Sequence, residues 1–251
     1  MEKFNCVEAS KSIFKNHITP KLKNEGFKKT GNTFYRLREE FIDVVNVQFG
    51  RSNSKDYAYF TYNIKVVIPS FFDKVGIYRD KKLDCCIVDY RLGTVMGIIN
   101  NTFKTDYWYK IGYPGYGKRD HEKFFVFNAL GGHMETIANP DERARGKYLN
   151  LLENRYDWMN IEQITNTVLE DIDSIVLKFF NMIQDVDDLA KLISNSKIKI
   201  DIQQFFLSVY LIEKGKVDQG IQVAKSICNN KFLKDKIDQY LYDKGIHSYI
   251  E

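Results

Sequence analysis

Apolar and polar residues alternate with a period of two across three neighbouring segments of the chain. In residues 32–38, Phe34, Arg36 and Arg38 fall on one side and Thr33, Tyr35 and Leu37 on the other. In 41–49, Val45, Val47 and Phe49 oppose Val44, Asn46 and Gln48, and in 58–68, Phe60, Tyr62, Ile64, Val66 and Ile68 oppose Tyr59, Thr61, Asn63 and Lys65. Successive side chains of a strand point to opposite faces, so this pattern predicts three strands. The short polar linkers Glu39-Glu40 and 50–57 predict antiparallel hairpins between them. Upstream, Phe14, Ile18 and Leu22 recur at helical spacing, predicting a helix over 8–25 that stops at Gly26. The apolar face of the sheet must pack on something, and this helix is its nearest cover.

The middle of the chain is less regular. Strands are expected at 84–90, 107–111 and 123–128, a Gly/Tyr-rich loop at 112–121 and a short helix at 142–152. From Asn160 the period changes to 3.6: Ile161, Ile164, Val168, Ile172, Ile175, Val176, Phe179 and Ile183 form one apolar stripe of a long helix. Asn160 with Gln163 has the form of a capping box, and Met159 with Ile164 that of a hydrophobic staple. Three short helices follow, at 201–214, 216–228 and 231–244, separated by Gly215 and by Asn229-Asn230. The spacing of Phe206, Tyr210, Gly215, Gly220 and Ala224 resembles one tetratricopeptide hairpin, but such units bury their faces only by stacking about three or more. The expected organisation is therefore a sheet domain over 1–185, which includes the long helix, and a small helical subdomain over 186–251 packed on it.

With 44% hydrophobic residues, 18 Phe, 16 Tyr and only four Pro, the 251-residue chain has the material for a packed core and not the composition of a disordered one. The net charge of +4 arises from 37 basic and 33 acidic residues interspersed in sign, which excludes the clustered basic footprint of a nucleic-acid binder. The four cysteines, Cys6, Cys85, Cys86 and Cys228, form no C-x-x-C pair, so buried reduced thiols and a cytoplasmic setting are expected. Met1 to Asn5 shows no apolar leader pattern, so none is expected, and no run of ~20 apolar residues that would span a membrane is present.

The stretch Gly26-Phe27-Lys28-Lys29-Thr30-Gly31-Asn32-Thr33-Phe34-Tyr35-Arg36 resembles the signature of a bacterial family, the domain of unknown function 4304. Val45-Asn46-Val47-Gln48, Tyr90-Arg91-Leu92-Gly93 and Asp106-Tyr107-Trp108 follow in the order that family would lead one to expect. The resemblance implies a soluble α+β domain that ends in helices. The two glycines of the signature serve as backbone punctuation between helix and strand; a phosphate loop would need them in a strand-to-helix turn.

Histidine and carboxylates cluster only at Asp120-His121-Glu122 and at His133 with Glu135, and neither spacing is that of a zinc site, so no metal and no cofactor are expected. No Walker loop, dinucleotide fingerprint or nucleophile elbow is present. The more promising set is the polar sheet face, where Arg36, Asn46, Gln48 and Asn63 would present a guanidinium and three amides able to hold a carboxylate, a phosphate or a peptide edge. The plainer reading is the wet side of an antiparallel sheet. Arg91 and Trp108 lie in the family-like segments, although Arg91 could equally pair with Asp89 or Asp106, and Trp108 could fill the core. Tyr113 and Tyr116, with Lys118 and Arg119, have the composition of a contact surface.

The expected fold is α+β: an antiparallel sheet of roughly five or six strands covered on one face by helices, with a C-terminal helical subdomain. The expected function is binding of another protein without catalysis, as an immunity or defence component, with Asp141, Glu142, Asp185, Asp187 and Asp188 available to a basic partner. The alternative is an enzyme acting on nucleic acid or a nucleotide through Arg36, Arg91, His121 or His133 and a nearby carboxylate. Nucleic acid is the less favoured partner, and a membrane is not one.

Overall fold

The structure, a computed structural model, describes residues 5–55, 57–77, 86–100, 107–112, 125–127, 134–136, 161–196, 200–227 and 230–246. The N-terminal helix starts earlier than its apolar spacing predicts, because the Asn5 side chain accepts hydrogen bonds from the amides of Val7 and Glu8. α1 (Cys6–Ile13) continues through a π-helical turn (Phe14–Ile18) into α2 (Thr19–Asn24). Gly26, at φ 84°, ends the helix where the Phe27 amide turns back to the Leu22 carbonyl. β1 (Lys28–Thr30) and β2 (Thr33–Leu37) then form a hairpin about Gly31 and Asn32, with Gly31 at φ 58°.

β3 (Ile42–Phe49) and β4 (Tyr57–Val67) extend the sheet. After α3 (Pro69–Lys74) come β5 (Val88–Arg91), α4 (Leu92–Asn100) and β6 (Tyr109–Gly112). All pairings are antiparallel in the order β1-β2-β3-β4-β5, with β6 pairing with the first part of β4. A separate two-stranded ribbon joins β7 (Phe125–Phe127) and β8 (Met134–Thr136). The expected strand at 84–90 is shorter than its apolar run. Arg91 ends it, and Leu92 begins α4, a helix hidden from periodicity because its two glycines and continuous apolar residues leave no polar stripe.

α5 (Ile161–Asp171) runs through a second π-helical turn (Ile172–Leu177) into α6 (Lys178–Asn181), and this long helix lies on the same sheet face as α1 and α4. Lys21 fixes the two long helices to each other, 2.6 Å from Asp173, and this contact raises its pKa above the ordinary lysine value. The core between helices and sheet holds Phe34, Val45, Phe60, Tyr62, Ile64, Val66, Tyr109, Val168 and Phe179. The calls at Met159, Asn160 and over 142–152 lie outside the described residues.

α7 (Val186–Asn195) is a helix the sequence pattern did not predict; the three helices expected after it are present as α8 (Asp201–Glu213), α9 (Val217–Ala224) and α10 (Lys231–Asp243). α8 and α9 form a close hairpin in which the Ser208 hydroxyl donates to the Gly220 carbonyl. They share a continuous core with the sheet through Phe71, whose ring meets those of Phe205 and Phe206 edge to face. The fold is α+β, with an antiparallel sheet covered on one face by helices and a helical C-terminal region.

Candidate functional site

The register of the sheet sets four polar residues in one row. Thr33 pairs with Asn46, Asn46 with Asn63 and Asn63 with Arg91, so the row crosses β2, β3, β4 and β5 on the face turned away from the helices. Asn46 Nδ2 donates to Thr33 Oγ1 at 2.9 Å, and Asn63 Nδ2 donates to Gln48 Oε1 at 2.9 Å and to Asn46 Oδ1 at 3.3 Å. The amides expected to form a binding face are thus brought together and bonded to one another.

An aromatic row runs beside them. The Arg91 guanidinium lies 5.1 Å from the centroid of the Trp108 ring, and Trp108 meets Tyr59 edge to face at 5.1 Å. Tyr59 lies over Gly50, where a Cβ would stand 2.2 Å from the ring, so glycine is required there. Asn53 brackets the Tyr59 backbone, accepting from its amide at 2.9 Å and donating to its carbonyl. Arg91 therefore stacks on Trp108, while Asp89 pairs with Lys65 at 2.8 Å, and Trp108 is half-buried on the outer face of the sheet instead of filling the helix-side core.

This face is not simply the wet side of a sheet. Val44 and Val67 on it are each 1% exposed and Thr61 is fully buried, its hydroxyl donating to the Tyr107 carbonyl. Asn46, Gln48, Asn63, Arg91 and Trp108 are all half-buried.

Arg36 does not belong to this set. It stands opposite Asp43 on the helix-covered face, as its alternation with Phe34 requires. Asp43 is fully buried and holds two arginines: Arg36 on Oδ2 at 2.8 and 3.1 Å, and Arg38 on Oδ1 at 2.7 and 3.1 Å. The remaining arm of Arg36 donates to the Glu25 carbonyl at the end of α2, and that of Arg38 to the Ile183 carbonyl beyond α6. Arg36 also lies over the Phe27 ring at 4.7 Å, and its Cδ is 3.7 Å from where a Cβ on Gly26 would be. Gly26, Phe27 and Arg36 thus pack on one another and form part of a clamp between hairpin and helix ends. Asp43 was the residue the sequence reading missed; a carboxylate on the apolar-facing period of β3, opposite an arginine across a two-residue turn, was the available signal.

The acidic residues offered to a basic partner have local roles. Asp185 caps α7 by accepting from the Asp188 amide at 2.8 Å, and Asp188 in return accepts from the Gln184 amide. Asp187 pairs with Lys214 at 2.9 Å, a contact that holds its carboxyl below the ordinary value. Tyr113, Tyr116, His121, His133, Asp141 and Glu142 lie outside the described residues, as do Cys85 and Cys228; Cys6 is buried in α1 and Cys86 half-buried before β5. Among the described residues no group of three or more His, Cys, Asp or Glu could hold a metal ion. No described helix is long and apolar enough to cross a membrane.

The fold and this face define a helix-covered antiparallel sheet of α+β type, with an amide and Arg-Trp row on its far side. Residues 18–112 match the domain of unknown function DUF4304, a stretch that contains Arg36, Arg38 and Asp43, the amide row and the six strands of the main sheet. The resemblance leaves α5 to α10 beyond the matched residues. Neither the curated proteins nor the solved structures give a match.

Proposed function

We propose that the protein acts without catalysis, in the bacterial cytoplasm, by binding another protein as an immunity or phage-defence component that occludes its partner's working surface. The observation that carries this reading is Arg91 laid on Trp108 beside Tyr59, next to amides that satisfy one another. Arginine and the large aromatics dominate the residues that carry protein–protein binding energy. A row of neutral amides can meet a peptide edge with donors and acceptors alike. The near balance of charge, +4 over the chain, favours a protein partner over nucleic acid.

The enzyme reading calls for two or more of Arg36, Arg91, His121 and His133 to meet with a carboxylate in one pocket. The register sets the two arginines on opposite faces of the sheet, and Asp43 holds Arg36 inside. That separation is why binding is preferred.

The test is affinity capture of the tagged full-length chain from its native cells at two salt concentrations, beside Arg91→Ala and Tyr113→Ala/Tyr116→Ala variants. The expected result is one protein retained in stoichiometric amount by the wild type and depleted by Arg91→Ala, with a loss of about 2 kcal/mol or more in affinity. Retention of nucleotide or nucleic acid alone, or of nothing, would sink the binding reading.

A further inference from the structure

A cavity of about 250 Å³ opens in the seam between the sheet and the C-terminal helices, and none of its lining residues belongs to the amide row or to the Arg91–Trp108 stack. Phe72 of α3, Ile77 just past it, Ile87 before β5 and Leu233 of α10 make an apolar floor, and all four are buried. Lys236 ties α10 to the Gly76 carbonyl beside this floor, so the walls are held in place without an occupant. A pre-formed apolar cavity with a few polar groups is the usual form of a small-molecule site, and this one has the size for a single ring with a short substituent.

One buried polar side chain stands among these residues. Gln203 of α8 is fully buried and lines the cavity. Both ends of its amide meet the same Tyr90 hydroxyl, Oε1 accepting at 3.0 Å and Nε2 donating at 2.8 Å. Nε2 carries two N–H groups, and the hydroxyl takes one of them, so the other is left for an occupant with an acceptor. A buried donor without an acceptor is costly, and an occupant that supplies one is held for that reason.

Two helix starts open on the same space. Ile200 and Ile202 line it from the first turn of α8, whose cap makes no side-chain bond, and Asn230 and Phe232 line it from the first turn of α10. First-turn amides lack intrahelical acceptors and carry partial positive charge, so both ends favour an electron-rich oxygen. A full negative charge is another matter. Asp89, exposed at the mouth with Asn230 and Phe232, would repel it, and no lysine, arginine or histidine lines the cavity.

We propose that this cavity binds a small neutral molecule made of one apolar ring and a carbonyl oxygen, of the class of the aromatic amides. The ring packs between Phe72, Ile87 and Leu233, and the carbonyl accepts from the spare N–H of Gln203. Such a ligand touches α3, β5, α8 and α10 at once, and so fastens the helical region to the sheet. This goes beyond the protein-binding reading and does not depend on it.

The experiment titrates the full chain with benzamide, benzoate and toluene, following the Gln203 side-chain amide and the methyls of Ile87, Ile202 and Leu233 by NMR. Two variants accompany the wild type: Ile202→Trp, which fills the cavity from a half-buried position, and Gln203→Met, which removes the amide. Melting curves check that both remain folded. Benzamide is expected to shift these signals saturably, with a Kd on the order of millimolar for so small a ligand. Benzoate should bind at least about tenfold more weakly, since its charge is desolvated beside Asp89. Ile202→Trp should abolish the benzamide shift, and Gln203→Met should reduce benzamide to the level of toluene. If loss of the Tyr90 bond unfolds Gln203→Met, the preference of the wild type for benzamide over toluene reports on the same carbonyl contact. No saturable shift with benzamide, equal binding of benzoate or toluene, or a shift that survives Ile202→Trp would overturn the proposal.

Discussion

Tyr62 and Tyr109 lie edge to face in the same core, 5.6 Å between centroids, and burial pushes both hydroxyls well above the ordinary tyrosine pKa. Their polar ends differ. Tyr109 donates to buried Asp171 at 2.9 Å, whereas the Tyr62 hydroxyl has no hydrogen-bond partner. Tyr109→Phe is expected to cost about 1.5–3 kcal/mol, because it takes a donor from a buried carboxylate. Tyr62→Phe removes an unsatisfied group and should leave stability unchanged or raise it by about 1 kcal/mol. Urea unfolding of the two variants side by side checks the contrast, and equal losses would show that the Tyr62 hydroxyl is satisfied. Asp43→Ala should be the most damaging of these changes, about 3–5 kcal/mol in the same assay, since it leaves two half-buried arginines against apolar rings with no carboxylate. The placement of these groups was half legible. The alternation of Phe34 with Arg36 already put Arg36 on the apolar side, but an arginine there made sense only once β3 supplied Asp43 across the turn.

At the scale of elements, α8 and α9 approach as closely as they do because Gly220 has no side chain. A Cβ there would stand 2.6 Å from Ile212 Cγ1 and 2.9 Å from the Ser208 carbonyl oxygen. A backbone carbonyl in a helix cannot step aside as a side-chain tip can. Gly220→Ala therefore loses about 1–3 kcal/mol to overpacking in spite of alanine's better helix propensity, and a lowered melting temperature would register it. β1 illustrates the opposite need. It is an edge strand of three residues carrying exposed Lys28 and Lys29, features that discourage another chain from adding to the sheet. The strands with period-two alternation and the long amphipathic helix were readable from local pattern, as were the ends of α8 and α10, where Gly215 and Gly245 take φ 75° and 74°. α3 and α4 were not, since short apolar runs that are buried on several sides carry no period.

Across the whole molecule, the C-terminal helices are attached to the sheet by a polar bracket as well as by Phe71. Glu213 of α8 accepts from Lys74 of α3 at 2.6 Å, from the Tyr240 hydroxyl and from Lys244 at the end of α10 at 3.0 Å. The Lys74 ammonium first, then Tyr240, lower its pKa from 4.5 to about 2. The folded value lies below the unfolded one, so the stabilisation is fully present above about pH 4.5 and is lost as pH falls through about 2. Urea midpoints measured between pH 5.5 and pH 2.5, ordinary titration conditions on the order of this window, should fall more steeply for the wild type than for Glu213→Gln. Parallel slopes would mean that Glu213 is not the linked group. Lys236 of α10 adds a bond to the Gly76 carbonyl just past α3, so the same short helix anchors both ends of the arrangement.

What the sequence determined by itself was the set of elements whose residues act locally: alternating strands, the 3.6-period stripe from Ile161, and glycines at positive φ where helix gives way to strand. It also carried the match to the domain of unknown function over residues 18–112. The tertiary structure decided which of the polar residues meet. Register brought Asn46, Asn63 and Arg91 into one row, and turned Arg36 inward to Asp43. Side-chain direction within a strand follows from its neighbours in sequence, but the partner of a side chain is chosen by strands and helices far along the chain, and only their packing sets that choice.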